Sequence, residues 1–244
     1  MRYLVLSDIH ANLAAFQTVL QDAPPFDRIW CLGDVIGYGP EPSECVALLR
    51  QYEHDCVAGN HDWATLGRLD TEDFNPDARR ALTWTRANLD AAGVAYLQKL
   101  PTALTFGDFT LVHGSPRQPV WEYTLYAGMA AANFDYLDTP YCFVGHTHVP
   151  VLFEQTTHNG VVSARVRRPV YDEPIALPGG RLIINPGSVG QPRDNDPRAS
   201  YLLLDTDAQT LLFRRVEYPV EQTQQNMQDH GLPARLAARL SNGW

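Results

Sequence analysis

Four cysteines are the whole complement of this 244-residue chain, and no two stand close enough for a CxxC pair. Cys31, Cys45, Cys56 and Cys142 lie in strand-like or helical surroundings, so buried thiols are expected rather than a zinc knuckle, a redox pair or a disulfide framework. Long apolar runs are missing too. The N-terminus offers only Tyr3 to Leu6 before Ser7 and Asp8, too short for a signal peptide or a membrane span. These absences lead us to expect a reduced, cytoplasmic protein with no membrane partner. Positive charge is also short: 19 Lys and Arg stand against 28 Asp and Glu, a formal net charge of −9. That balance argues against a protein built to hold a nucleic-acid backbone, which needs clustered cations. Arg165, Arg167 and Arg168 form the one basic cluster, and alternation puts the first two on one strand face, where solvation is the simpler reading. His54, His158 and His230 stand in polar surroundings and read as surface histidines.

What is present is the composition of a globular enzyme-sized domain, 45% hydrophobic and 19% charged. The first third alternates β-type runs with helical ones: Tyr3 to Leu6, an amphipathic stretch with Leu13, Phe16, Val19 and Leu20 on one face, and Arg28 to Leu32. A helix opened by Pro42 and Ser43 follows, then a short strand at Cys56 to Ala58 and a helix over Asp77 to Ala91. Past Leu100 strands dominate, with one helical insert around Ala127 to Phe134. No repeat, low-complexity tract or linker divides the chain. The expectation is one α/β domain over residues 1–244, built on two stacked sheets, with a polar helical segment at about 219–244 broken at Gly231 and Pro233. That segment is expected to cover a sheet edge or to meet another subunit, which leaves a homo-oligomer open.

Five segments share one format, an apolar strand followed at once by Asp, His or Asn beside glycine: LVLSDIH, IWCLGDV, CVAGNHD, TLVHGS and CFVGHTH. Side chains at strand ends gather in one crevice in open α/β sheets. Asp8 and His10 are two apart, as are His146 and His148, so each pair points to one side of an extended chain. With Asp34, Asn60 and His113 they make a metal centre of imidazole nitrogen and carboxylate or amide oxygen. Such a donor set suits two divalent transition-metal ions, Mn foremost, or Fe, Zn, Ni or Co, rather than an all-oxygen calcium site. Asp34, alone behind Gly33, is the natural bridge between two ions.

In this order SDIH, GDVIGYG, GNHD, VHGS and VGHTH resemble the signature of the calcineurin-like metallophosphoesterase superfamily, and INPGSVGQPRD, Ile184 to Asp194, resembles its small bacterial and archaeal phosphodiesterase-like members. The resemblance implies a four-layer α/β/β/α sandwich of two mixed β-sheets flanked by helices. It implies one ion on Asp8, His10, Asp34 and His148 and a second on Asp34, Asn60, His113 and His146. The implied activity is hydrolysis of small phosphodiesters or phosphomonoesters by a hydroxide held between the ions, with His61 giving the leaving alkoxide its proton. For holding phosphate, Arg193 ranks above Arg117, and Asn12 can cap a helix aimed at the crevice.

The chain departs from the family's protein Ser/Thr phosphatases, whose GDxVDRG motif falls on Gly33 to Gly39. Their clamping Arg corresponds to Tyr38 and the Asp that orients their His corresponds to Gly37. This counts against a protein phosphatase and leaves the orientation of His61 without a partner in sequence, since Asp62 follows it directly. Trp121, Tyr123 and Tyr126 read first as core or lid residues and second as the wall of a substrate pocket. A catalytically silent scaffold on the same fold is the competing class, disfavoured by the retained His61. A nuclease is disfavoured by the acidic charge.

Overall fold

The computed structural model describes all 244 residues. Its first strands, β1 (Arg2–Leu6), β2 (Arg28–Cys31) and β3 (His54–Cys56), run parallel and are joined by helices α1 (Leu13–Asp22) and α2 (Pro42–Leu49). Asn12 starts α1 by accepting from the Ala15 amide at 3.1 Å, and Pro42 opens α2 where a missing N–H costs nothing. Three helices follow, α3 (Asn60–Thr65), α4 (Pro76–Asn88) and α5 (Ala91–Leu97). The remaining strands are β4 (Ala103–Phe106), β5 (Phe109–Val112), β6 (Tyr141–Phe143), β7 (Val151–His158), β8 (Val161–Arg167), β9 (Pro174–Ala176), β10 (Leu182–Asn185), β11 (Ala199–Asp205) and β12 (Thr210–Val216). Helix α6 (Ala127–Asn133) interrupts them, and α7 (Val220–Asp229) and α8 (Ala234–Arg239) close the chain.

Two six-stranded mixed sheets result, ordered β3-β2-β1-β11-β12-β9 and β4-β5-β6-β10-β7-β8. They stack face to face. Along β1, Val5 turns toward the second sheet while Leu4 and Leu6 turn toward α1 and α2, the period-2 alternation of a strand buried on both faces. Between the sheets Trp30, Leu202 and Phe213 meet Leu111, Phe143 and Ile184, each fully buried or nearly so, and each such side chain stabilises the stack by roughly 1.5–3 kcal/mol. On the outer face of the second sheet, α6 and the turn after it pack Ala130 and Phe134 against Phe153 and Ile183. The order of layers is helix, sheet, sheet, helix, as expected.

Several elements differ from expectation. The helix expected to run on to Ala91 stops at Asn88, because Asp90 accepts from the Gly93 amide at 2.6 Å and starts α5 afresh. Helix α3 and the three-residue β9 are additional. The C-terminal helices cover no sheet edge: Met227, Leu236 and Leu240 pack with Ala78, Leu82 and Tyr38 beside α4. Thr223 and Asn226 of α7 donate to Asn12 at 2.9 Å and to Glu41 at 2.6 Å. This segment lies close to the strand ends that carry the polar motifs.

Candidate metal centre

The carboxyl ends of β1, β2, β3, β5 and β6 bring their motif residues together in one buried cluster. Nε2 of His148 and of His10 lie 3.3 and 3.8 Å from Asp8 Oδ1, and the two ring nitrogens are 3.1 Å apart. On the other side, His113 Nε2 stands 3.4 Å from Asp34 Oδ2, 3.0 Å from Asn60 Oδ1 and 3.2 Å from His146 Nδ1. Asp34 Oδ2 is also 3.6 Å from His10 Nε2, so this carboxylate touches both groups. Every one of the seven side chains is at most 3% exposed.

The outer ring nitrogens settle which atoms face inward. His10 and His113 present Nδ1 to the carbonyls of Ile36 (3.2 Å) and Leu32 (2.8 Å), His148 presents Nδ1 to Gln191, and His146 presents Nε2 to Trp121 at 3.0 Å. A carbonyl only accepts, so each of these nitrogens carries the proton and the other one turns a lone pair into the cluster. Facing lone pairs of His10 and His148 at 3.1 Å repel unless a cation lies between them, and the 3.2 Å contact of His113 with His146 needs a proton or a metal ion there. Two carboxylate oxygens, Asp8 Oδ1 and Asp34 Oδ2, are buried without a hydrogen-bond partner, which costs free energy unless an ion takes that place. The donor set therefore fits divalent metal ions, with Asp8, His10 and His148 forming one cradle, Asp34, His113 and His146 another, and His61 grouped with His10 and Asp34 between them.

The backbone is held to this purpose. Asp8, His10, Asp34, His146 and His148 all have positive φ, from 50° to 63°, at a cost on the order of 1 kcal/mol each for residues with a Cβ. Gly59 and Gly145 allow the close approach: a Cβ would fall 2.0 Å from Asp34 Oδ1 at Gly59, and 1.9 Å from Ser7 Oγ at Gly145. Burial alone would raise the Asp8 and Asp34 carboxyls, but His148 beside the first and His113 beside the second outweigh it, and both lie below the usual carboxylate range. Burial likewise opposes the charged form of His113, yet the Asp34 carboxylate lifts it to about 9. A divalent ion competes directly with that proton.

His61 sits between the two halves. Its amide donates to Asp34 Oδ1 at 2.8 Å, and its ring packs against Tyr38, His10 and Phe74 with centroids 4.3, 4.9 and 5.1 Å away. Its Nδ1 is buried without a partner, 2.6 Å from where a Cβ on Gly37 would stand. Aromatic packing rather than a carboxylate orients this ring. Burial first, against the opposing pull of Asp34, brings His61 down to about 4. Asp62 does point the other way, accepting from the amides of Asp34 and Gly59, both at 2.9 Å, and so fixes the bridge position and the start of α3. Burial and the neighbouring Asp34 charge raise it to about 7.

The phosphate candidates separate. Arg193 reaches Tyr38 Oη at 3.3 Å and Gln191 Oε1 at 2.9 Å, beside the cluster. Arg117 is paired with Glu122. Asn12 is spent on the fold, binding Gly190 O, Tyr218 Oη, Thr223 Oγ1 and the Ala15 amide. Of the aromatic trio, Tyr123 stacks on His146 with centroids 3.8 Å apart, Trp121 packs against Phe74, and Tyr126 is exposed. Sequence reading passed over Ser7, which donates to Asp8 Oδ2 at 2.6 Å, and Gln191. Their position next to a motif was the available signal.

Two stacked mixed sheets whose strand ends carry this His, Asp and Asn cluster define a metallophosphoesterase. Residues 1–209 match the calcineurin-like phosphoesterase superfamily domain, and the chain belongs to that superfamily. A metallophosphoesterase from Sphaerobacter thermophilus is similar in structure with a TM-score of 0.88 and 49% identity, covering 100% of this chain and 99% of that one. An uncharacterized protein of Methanocaldococcus jannaschii is 34% identical over 98% of this chain and 97% of its own length. A symmetrical bis(5'-nucleosyl)-tetraphosphatase of Pseudomonas putida is 35% identical over 35% of this chain and 36% of its own. The protein is accordingly a hydrolase of phosphoesters. No helix is long and apolar enough to cross a membrane.

Proposed function

We propose that the chain hydrolyses small phosphodiesters or phosphomonoesters with two divalent transition-metal ions, Mn foremost. Asp8, His10, Asp34 and His148 would hold one ion and Asp34, Asn60, His113 and His146 the other. The observation that carries this reading is the pair of buried, unpartnered oxygens Asp8 Oδ1 and Asp34 Oδ2 amid inward-facing imidazole lone pairs. When bound, the ions supply an activated water and neutralise charge on the phosphoryl oxygens. His61, whose Nδ1 is closed off, would offer Nε2 to the leaving oxygen and give it a proton, a role that requires the negative charge of bound substrate to raise the imidazole from about 4. Arg193 holds a phosphoryl oxygen, since its Nε is unpartnered and no carboxylate competes for it. Arg117 holds none while Glu122 keeps it. Tyr123 lines the approach and favours an aryl or base leaving group by stacking. A cytoplasmic setting fits four buried free thiols.

The decisive experiment strips the protein of metal, reconstitutes it with Mn, Ni, Zn or Mg, and assays bis-aryl phosphodiester, aryl monoester, cyclic nucleotide and dinucleoside polyphosphate. Turnover of at least one ester under at least one metal is expected. Silence under every metal would promote the scaffold. In parallel, Asp34→Asn should weaken both ions by metal analysis, and loss of one alone would overturn its bridging role.

A further inference from the structure

Beyond the metal centre, α8 and the first turn of α4 wall a cavity of about 310 Å³ lined by Asn75, Pro76, Asp77, Arg235, Leu236 and Arg239. Both walls lead to the centre. Phe74, next to Asn75, sets its ring edge-on against His61 with centroids 5.1 Å apart. Opposite, Arg239 Nη1 donates to Gln191 Oε1 at 3.2 Å, and the main-chain oxygen of Gln191 is the acceptor for His148.

Gln191 Oε1 also accepts from Arg193 Nη2 at 2.9 Å, so two guanidinium groups converge on one neutral oxygen. No Asp or Glu forms an ion pair with Arg193, Arg235 or Arg239, whereas Arg2, Arg28, Arg117, Arg198 and Arg215 each have such a partner. Arg239 binds the main-chain oxygen of Trp244 through Nε, and Arg235 makes no hydrogen bond, its guanidinium 6.0 Å from the Trp244 ring centroid. Asp77 is the one carboxylate in the lining. Burial first, and then the neighbouring Arg193 and Arg235 against the opposing pull of Tyr38 and Asp77, bring Arg239 down to about 10. In a chain of net charge −9 Arg193, Arg235 and Arg239 make a positive strip leading away from the metal centre, offset in the lining by Asp77 alone. Guanidinium groups that outnumber the carboxylates beside them are suited to bidentate phosphate contact.

We propose that this cavity is a second anion subsite, holding a phosphate group beyond the one undergoing hydrolysis, so that the preferred substrate carries two or more phosphates. The proposal rests on the phosphoester-hydrolase reading above. Arg235 is exposed and free of hydrogen bonds, so replacing it tests the subsite without disturbing Gln191 or His148. The probes are inorganic tripolyphosphate and inorganic phosphate, titrated calorimetrically into the full chain with ions removed so that no turnover intrudes. Tripolyphosphate should bind Arg235→Glu about tenfold more weakly than wild type, and Arg235→Lys should recover most of the loss. In metal-loaded protein, Arg235→Glu should raise KM for a dinucleoside polyphosphate by a similar factor while kcat and aryl-monoester kinetics stay put. Equal behaviour of wild type and Arg235→Glu in the calorimeter overturns the subsite. Inorganic phosphate binding as tightly as tripolyphosphate, with KM unmoved by the substitution, marks a site for free phosphate and overturns the substrate assignment. If no ester is turned over under any metal the hydrolase reading fails instead, and the calorimetric comparison still decides whether the anion site exists.

Discussion

Under the proposed mechanism, His61 is the residue on which turnover and metal binding come apart. It lies next to Asn60 and is packed by Tyr38, His10 and Phe74, with a ring nitrogen within 4.8 Å of ligand atoms of Asp34 and His10. His61→Ala should keep both ions by metal analysis yet lose about 10²–10⁴ in kcat on esters with poor leaving groups, and much less on aryl esters that leave unaided. Equal loss of metal and activity would make it a ligand. Gly145 tests the opposite property. Since an added Cβ would meet Ser7 Oγ at 1.9 Å and Asp8 Oδ2 at 2.9 Å, Gly145→Ala should displace Asp8 and lower the ion content by one per chain while Asp34 keeps the other. The seven candidate ligands stand out in sequence because they follow the ends of five strands, Asp8 with His10 and His146 with His148 sharing one each. The carbonyls that fix their imidazoles were not, because Ile36, Leu32, Gln191 and Trp121 reach them only through the fold.

At the scale of elements, the loop from Ser115 to Glu122 carries Trp121, whose carbonyl holds His146. Glu122 anchors that loop by accepting from Ser115 at 2.6 Å and Asn133 at 2.9 Å and by pairing with Arg117. Burial would raise its carboxyl, but those donors outweigh it and bring it down to about 2. A depressed folded pKa contributes stability that is present above the ordinary carboxylate range and is lost as pH falls toward 2. Urea denaturation should therefore find Glu122→Gln less stable than wild type at pH 7, with the gap shrinking at pH 3; a constant gap would mean the carboxylate charge is irrelevant. Most elements were legible because their periodicity is local. The exceptions have physical causes: β9 is three residues opened by Pro174, α3 is six residues holding metal-motif side chains in place of an apolar stripe, and Asp90 splits a run that looks continuous.

Across the whole molecule, the centre ties both sheets together, since Asp8, Asp34 and Asn60 follow strands of one and His113 and His146 follow strands of the other. Ions bound there resist separation of the sheets. An ion present at a hundred times its dissociation constant adds about 2.7 kcal/mol, which for a chain of this size raises Tm by roughly 5–10 °C. Calorimetric scans with and without Mn should show that rise, and Asp34→Asn should abolish most of it. A rise retained in Asp34→Asn would place the stabilising ion elsewhere.

The burial of these ligands also bears on which metal the protein comes to hold. Asp8, Asp34 and His113 are 0% exposed and His148 only 2%, so these side chains have little room to rearrange for an ion of different size or coordination number. A divalent ion whose preferred geometry departs from the cradle is then held less well, however abundant it is.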